Sequence, residues 1–224
     1  MKSASRKAPG PDDVAAELLR FGGEMTVTKL HEIMHGGVED WRMAGRMDSI
    51  NIHPASKEGD PLQCENYRTI ALVSHASKIL LRVMLDCMQQ KLEMEIAQEQ
   101  AGFRPRRGTR DQILNLRIII EKAKERNQPL YLCFIDFTKA FDRVRHDQLW
   151  LTMLEMGFPP QLVQLIRNLY RQQQANVRTD GHTSAWFKVK KGVRQGCNLS
   201  PCLFNILTEQ LSDAKGINGF RWGI

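Results

Sequence analysis

The chain has 224 residues, 42% hydrophobic and 25% charged, with 32 basic against 25 acidic side chains and a formal net charge of +7. This is an ordinary globular composition, long enough for one sizeable domain or two small ones, and the basic excess favours an anionic partner such as nucleic acid. Five cysteines with no Cys-x-x-Cys pair argue against a disulfide framework or structural zinc and for a reducing compartment, nuclear or cytoplasmic, while no apolar run reaches the ~18 residues of a membrane span and no signal peptide opens the chain.

Residues 1–12 are basic and then rich in Pro and Gly, and read as an extended arm. Asp12 or Asp13 caps a helix to about His35, or two shorter ones, because Gly22-Gly23 interrupts the pattern. Inside it lies His31-Glu32-Ile33-Met34-His35, which matches the His-Glu-x-x-His pattern of helical zinc peptidases. Gly36-Gly37 follows at once and is expected to end the helix. Residues 38–66 read as irregular and polar, with Trp41 a local anchor and Lys57-Glu58-Gly59-Asp60-Pro61 a turn.

Residues 67–73 form a short apolar run, and Ser74 caps a helix to about Ile96 with a wide apolar face. Residues 98–110 are a loop carrying Arg104, Arg106, Arg107 and Arg110, either a solvated charged loop or a phosphate-binding one. Thr109 or Asp111 opens a helix that places Ile113, Leu116, Ile120 and Ala123 on one side.

Tyr131-Leu132-Cys133-Phe134-Ile135-Asp136-Phe137 is rich in aromatic residues and predicts a buried strand with a carboxylate at its tip. Asp136 there either caps the next turn or reaches a metal or cation, because a buried unpaired carboxylate is costly. Helices follow over 147–156 and from Pro159-Pro160 to about Tyr170. Residues 175–179 and 184–190 predict a hairpin. A Gly-containing loop at 192–199 leads to a helix capped by Ser200-Pro201, and residues 217–224 read as a turn and the start of a strand. Strands interleaved with long helices give an α/β or α+β class.

The ordered blocks resemble the reverse transcriptase domain of non-LTR (LINE-type) retrotransposons over nearly the whole chain. They are Ala8-Pro9-Gly10-Pro11-Asp12, Trp41 with Lys57-Glu58-Gly59-Asp60, Asn66-Tyr67-Arg68-Thr69-Ile70-Ala71-Leu72, the Gln100–Thr109 block, the segment ending in Asp136, and Gly192-Val193-Arg194-Gln195-Gly196-Cys197-Asn198-Leu199-Ser200-Pro201. The resemblance implies an α+β, right-hand polymerase fold. Residues 1–12 would be the family's extension motif, 13–129 fingers-like, and 130–224 a partial palm.

It also implies RNA-directed DNA synthesis with RNA template, DNA primer, deoxynucleoside triphosphate and Mg²⁺. Asp136, helped by the Phe137 carbonyl, would be the metal ligand. Phe141 would lie under the incoming sugar and exclude a 2′-hydroxyl. Arg68 and Arg104 would grip triphosphate or template, with Lys57 a weaker candidate. Gln195 and Gly196 would line the pocket for the nascent base pair, and Arg194 would sit near template or nucleotide. Asp142 is expected to brace the structure rather than bind metal.

The 224 residues contain no Ala-Asp-Asp run, which in the family supplies the remaining metal carboxylates, and no thumb. The expectation is a truncated, inactive polymerase segment. The alternatives are a non-catalytic nucleic-acid-binding remnant and, from the His31 motif, a zinc peptidase. Asn51-Ile52-His53-Pro54-Ala55-Ser56 stands where the family has an apolar strand, and its composition argues against a strand there.

Overall fold

A computed structural model of the chain describes residues 10–39, 49–179 and 181–212. The expected arm at 1–9, Trp41 and the strand start at 217–224 lie outside the described residues. The fold is α+β. Helices α1 (Ala16–Phe21) and α2 (Gly23–Glu39) precede strands β1 (Ser49–Ser56) and β2 (Tyr67–Leu72). Helices α3 (His75–Glu95), α4 (Thr109–Glu125), α5 (His146–Glu155) and α6 (Pro160–Arg171) follow. Strands β3 (Gln174–Thr179), β4 (His182–Thr183) and β5 (Phe187–Lys188) then lead to α7 (Ser200–Ser212). Among the described residues no helix is long and apolar enough to cross a membrane.

The sheet is mixed, in the order β2-β1-β3-β4, with β5 also on β3. It joins strands from before and after residue 130: β1 pairs antiparallel with β2 and parallel with β3. The expectation for residues 38–66 is thus corrected, since 49–56 form a central strand. Pro54 is accommodated by register. Lys57 N donates to Asn66 O at 2.7 Å, and hydrogen-bonded pairs alternate along an antiparallel ladder. Pro54, opposite Thr69, therefore has the other parity, with its nitrogen facing away from β2. On that side the pairing with β3 ends at Ile52, so no ladder bond is lost. The return strand of the hairpin differs from expectation too: it is broken at 184–186, where Ser184 Oγ accepts from Val177 N at 2.9 Å.

The larger core is helical. Leu81, Met84, Met88 and Leu92 form a stripe along α3 at helical spacing. They share one cluster with Leu149 and Met153 of α5, Ile166 and Leu169 of α6, and Leu203 and Ile206 of α7. Full burial of one such side chain contributes about 1.5–3 kcal/mol before entropy is counted. A second, smaller cluster of Ile50, Ala71, Val73 and Ala175 sits on the sheet. Ser74 caps α3 as its sequence suggests, its side chain accepting from Ser77 N at 3.1 Å. Gly10 is tucked against the same place. A Cβ there would lie 2.5 Å from Ser74 N.

Two further expectations, the end of the second helix and the strand at 130–137, are corrected. α2 runs through Gly36-Gly37 to Glu39 rather than stopping at His35. Glu32 of the His31 motif pairs with Lys29 at 2.8 Å, and that hydrogen bond holds its carboxyl below the usual range. α4 buries none of its side chains, and Ile113, Leu114 and Ile118 are exposed. Residues 130–137 belong to no strand, with Tyr131 89%, Phe134 79% and Ile135 74% exposed. β-propensity alone does not make a strand, because the backbone N–H and C=O groups need a ladder partner. Among the described residues none lies alongside.

The helical core also predicts an alkaline limit to stability. Burial raises the Tyr170 hydroxyl from 10.0 to about 12, with Cys197 adding to the rise and Arg194 opposing it. Burial likewise raises the Cys202 thiol from 9.0 to about 12. Both groups hold their protons in the folded state where the unfolded chain releases them. Their contribution is complete below pH 9.0 and is lost as pH rises towards about 12. A melting midpoint flat at neutral pH and falling across that window is expected. Tyr170→Phe should shrink the fall above pH 10.0; an unchanged profile in that variant would contradict the assignment to Tyr170.

Candidate nucleotide cleft

Three segments meet beside the helical core. A 3₁₀ turn over Ala140–Arg143 carries Phe141 and Asp142. The loop after β5 carries Gln195 and Gly196. The edge of β2 supplies Thr69 and Ala71. Backbone bonds lock them together: Val193 N donates to Phe141 O, Gly192 N to Val144 O and Ala71 N to Gln195 O, each at 2.8 Å. Gly192 is needed twice over. Its φ is +90, and a Cβ would lie 3.0 Å from Asp142 Cα. Gly196 has φ +93, while the atoms nearest an added Cβ stand off at 3.5 Å or more. Backbone conformation by itself therefore calls for glycine at 196.

Phe141, Gln195, Gly196, Phe103, Arg82 and Pro201 line a cleft of about 520 Å³. Phe141 stacks on Phe204 of α7 with ring centroids 5.2 Å apart and meets the edge of Phe103 at 5.9 Å. Phe137 meets the edge of Phe204 at 6.2 Å. The aromatic packing thus ties the exposed 130–137 segment to α7. Asp142 braces all three segments: its Oδ1 accepts from Thr69 Oγ1 at 3.1 Å and from Gln195 Nε2 at 3.0 Å.

Of the expected site residues, the structure brings Phe141, Gln195 and Gly196 together. Asp136 lies one residue before Phe137 on the exposed segment, and its carboxylate is open to solvent. Arg68 is exposed on β2.

The structure differs from expectation on Arg104 and Arg194. Arg104 is 6% exposed. Its guanidinium donates to Glu93 Oε2 at 2.8 Å and to the carbonyls of Ala97 at 2.6 Å and Gln100 at 3.3 Å, fastening the loop to the end of α3. Arg194 is 3% exposed. It donates to Gln173 Oε1 at 3.0 Å and Leu169 O at 2.7 Å, and lies over the Tyr170 ring at 5.2 Å. Both cations hold the scaffold rather than face the cleft, because a buried guanidinium needs this many acceptors.

The neighbour of Arg104, Phe103, is the residue sequence reasoning missed. A lone aromatic in a polar loop rich in Gly and Pro was the available signal. Lys57 is exposed at the turn after β1.

Magnesium prefers a near-octahedral set of oxygen ligands. Among the described residues no group of three or more His, Cys, Asp or Glu side chains gathers to hold a metal ion. One exposed carboxylate at Asp136 does not make a two-ion site.

The family model described as "Reverse transcriptase (RNA-dependent DNA polymerase)" matches residues 55–214. The chain is 28% identical to the RNA-directed DNA polymerase from mobile element jockey of Drosophila funebris, over 99% of this chain and 24% of that protein. It is 26% identical to the transposon TX1 uncharacterized 149 kDa protein of Xenopus laevis, over 91% of this chain and 16% of that protein. It is 27% identical to the probable RNA-directed DNA polymerase from transposon BS of Drosophila melanogaster, over 92% of this chain and 23% of that protein. The chain therefore spans about a quarter or less of the length of these relatives. With the matched region covering the Phe141 turn, the Gln195 loop and strands β2 to β5, the chain belongs to the reverse transcriptase family, as a homologue of the non-LTR retrotransposon enzymes.

Proposed function

We propose that these residues are the nucleotide-handling part of an RNA-directed DNA polymerase, binding RNA template, DNA primer and an incoming deoxynucleoside triphosphate around the Phe141–Gln195 cleft. The observation that supports this is the convergence of Phe141, Gln195 and Gly196 on one cleft inside the family-matched region. In this reading residues 13–129 serve as fingers and 130–224 as part of the palm. Phe141 underlies the sugar, Gln195 and Gly196 flank the nascent base pair, and Arg68 with the exposed Arg106 and Arg110 contacts phosphates.

In a polymerase of the relatives' length, Asp136 and the Phe137 carbonyl would be ligands of Mg²⁺, which neutralises charge on the transferring phosphoryl group. Asp136 is one carboxylate, and the 224 residues contain no Ala-Asp-Asp run. This polypeptide by itself is therefore expected to bind primer–template without extending it. Such binding without synthesis is equally the behaviour of a nucleic-acid-binding remnant, and the +7 net charge favours it.

Fluorescence anisotropy with a labelled RNA–DNA primer–template tests the reading. Affinity should fall linearly in a plot of log affinity against log salt. Absence of binding at low salt overturns the proposal. Primer extension with Mg²⁺ that disappears in Asp136→Ala would instead overturn the argument that one carboxylate is too few.

A further inference from the structure

The hairpin of β3 with β4 and β5 lies at the sheet edge away from the cleft. The order β2-β1-β3 puts two strand spacings, about 10 Å, between it and β2, which borders the cleft. Residues 171–191 carry Arg171, Arg178, Lys188, Lys190 and Lys191 against one acid, Asp180, a net +4 out of the chain's +7. All five cations are exposed. None of them pairs with an acidic side chain among the described residues. Register aligns two of them, since Lys188 stands opposite Gln174 and Arg178 opposite Thr183. Opposite residues share a face and side chains alternate along a strand. Arg178 and Lys188 therefore share one face of the hairpin, with β3 rising about 13 Å between their rows.

The same hairpin exposes Trp186 and Phe187. Trp186 sits in the break of the return strand, where Ser184 N donates to Val177 O at 2.9 Å, and every side chain from 181 to 188 is exposed. Lysines alone would be the ordinary guard of a sheet edge. Exposed rings beside them are not, because they add the apolar surface that such a guard avoids. Cations and rings together suit an unpaired nucleic-acid strand, whose phosphates meet the cations and whose unstacked bases meet the rings. Lys190 and Lys191 lead directly into Gly192, which closes on the Asp142 backbone at the cleft. That continuity favours nucleic acid over a membrane surface as the occupant.

We propose that the β3–β5 hairpin is a second nucleic-acid surface, outside the cleft, that takes an unpaired strand: Arg178, Lys188, Lys190 and Lys191 meet its phosphates and Trp186 stacks on a base. RNA and DNA share this chemistry, and the test separates them.

The test uses the full chain with short fluorescent oligo(U) and oligo(dT), read by anisotropy. Combined Lys188→Gln, Lys190→Gln and Lys191→Gln should flatten the plot of log affinity against log salt by about 2, the share of three phosphate contacts on a single strand. Trp186→Ala should weaken binding at least about fivefold, the loss of one stacked base. A control of equal charge, Lys122→Gln with Lys124→Gln and Arg126→Gln at the exposed end of α4, should keep the wild-type slope. A blunt RNA–DNA duplex should bind the hairpin variants as it binds the wild-type chain, and their melting midpoints should not move. The tighter of the two oligonucleotides identifies the strand that the surface serves. Hairpin variants that bind single strands like the wild type, or a slope that falls equally in the α4 control, overturn the inference. So does duplex binding that falls in step with single-strand binding, or a wild-type chain that binds phosphatidylserine vesicles and neither oligonucleotide. A wild-type chain that binds single strands but no duplex overturns the cleft reading instead and leaves the hairpin surface standing.

Discussion

Arg104→Ala should lower the melting midpoint of the chain by roughly 10 °C, the shift that about 3 kcal/mol produces in a domain of this size. The Arg104 side chain is 2% exposed, and its partner Glu93 is 39% exposed. Removing the guanidinium strips hydrogen bonds from Glu93 and from the carbonyls of Ala97 and Gln100. Bonds to charged groups are worth about 1.5–3 kcal/mol each. Glu93, being partly hydrated, recovers some of its share, which keeps the total below the cost of a fully buried orphaned charge.

Arg104→Lys should recover little, since an ammonium cannot span the carboxylate and both carbonyls as the planar fork does. Arg106→Ala, two residues on and exposed, should leave the midpoint in place and weaken primer–template binding. Thermal denaturation beside anisotropy separates the two. If Arg104→Ala melts like the wild-type chain while binding collapses, the residue grips substrate and its structural assignment is wrong.

The second large effect concerns the exposed segment 130–137. The chain is expected to self-associate with rising concentration, and Phe134→Lys combined with Ile135→Thr should return it to a monomer. Covering Tyr131 and Phe134 alone would remove about 300 Å² from water, a gross gain of roughly 7 kcal/mol. Association costs about 4–15 kcal/mol in lost freedom, so these two rings exceed the lower bound and fall short of the upper one. Leu132, Ile135 and the unpaired backbone groups of the segment add to the gain and favour weak association. Light scattering across a concentration series reads the outcome. A wild-type chain that remains monomeric at high concentration, with no change in the double variant, would refute the idea.

The elements legible in the sequence are those whose signals are local. Ser74 and the wide apolar face that follows it define α3, Pro160 opens α6, and Ser200-Pro201 opens α7. Caps and helical periodicity act within a few residues, so they survive without knowledge of neighbours. The family blocks are equally local, and their order along the chain points to the reverse transcriptases.

Other features depend on what lies beside them in space. β1 passes through Pro54, a residue that argues against a strand until its nitrogen is seen to face the side where β3 has ended. Residues 130–137 have a strand's composition, yet lie exposed and unpaired, because pairing is a property of two segments. Their motifs put Arg104 on triphosphate or template and Arg194 near template or nucleotide, while the tertiary structure holds both as buried struts and places Phe103 at the cleft. The bond between Asp142 and Gln195 spans 53 positions of sequence. The sequence by itself determined the family, most of the helices and the chemistry available to the cleft. Only the tertiary structure decided which of those side chains reach it, because a charged group's role is set by the acceptors that folding brings within hydrogen-bond distance.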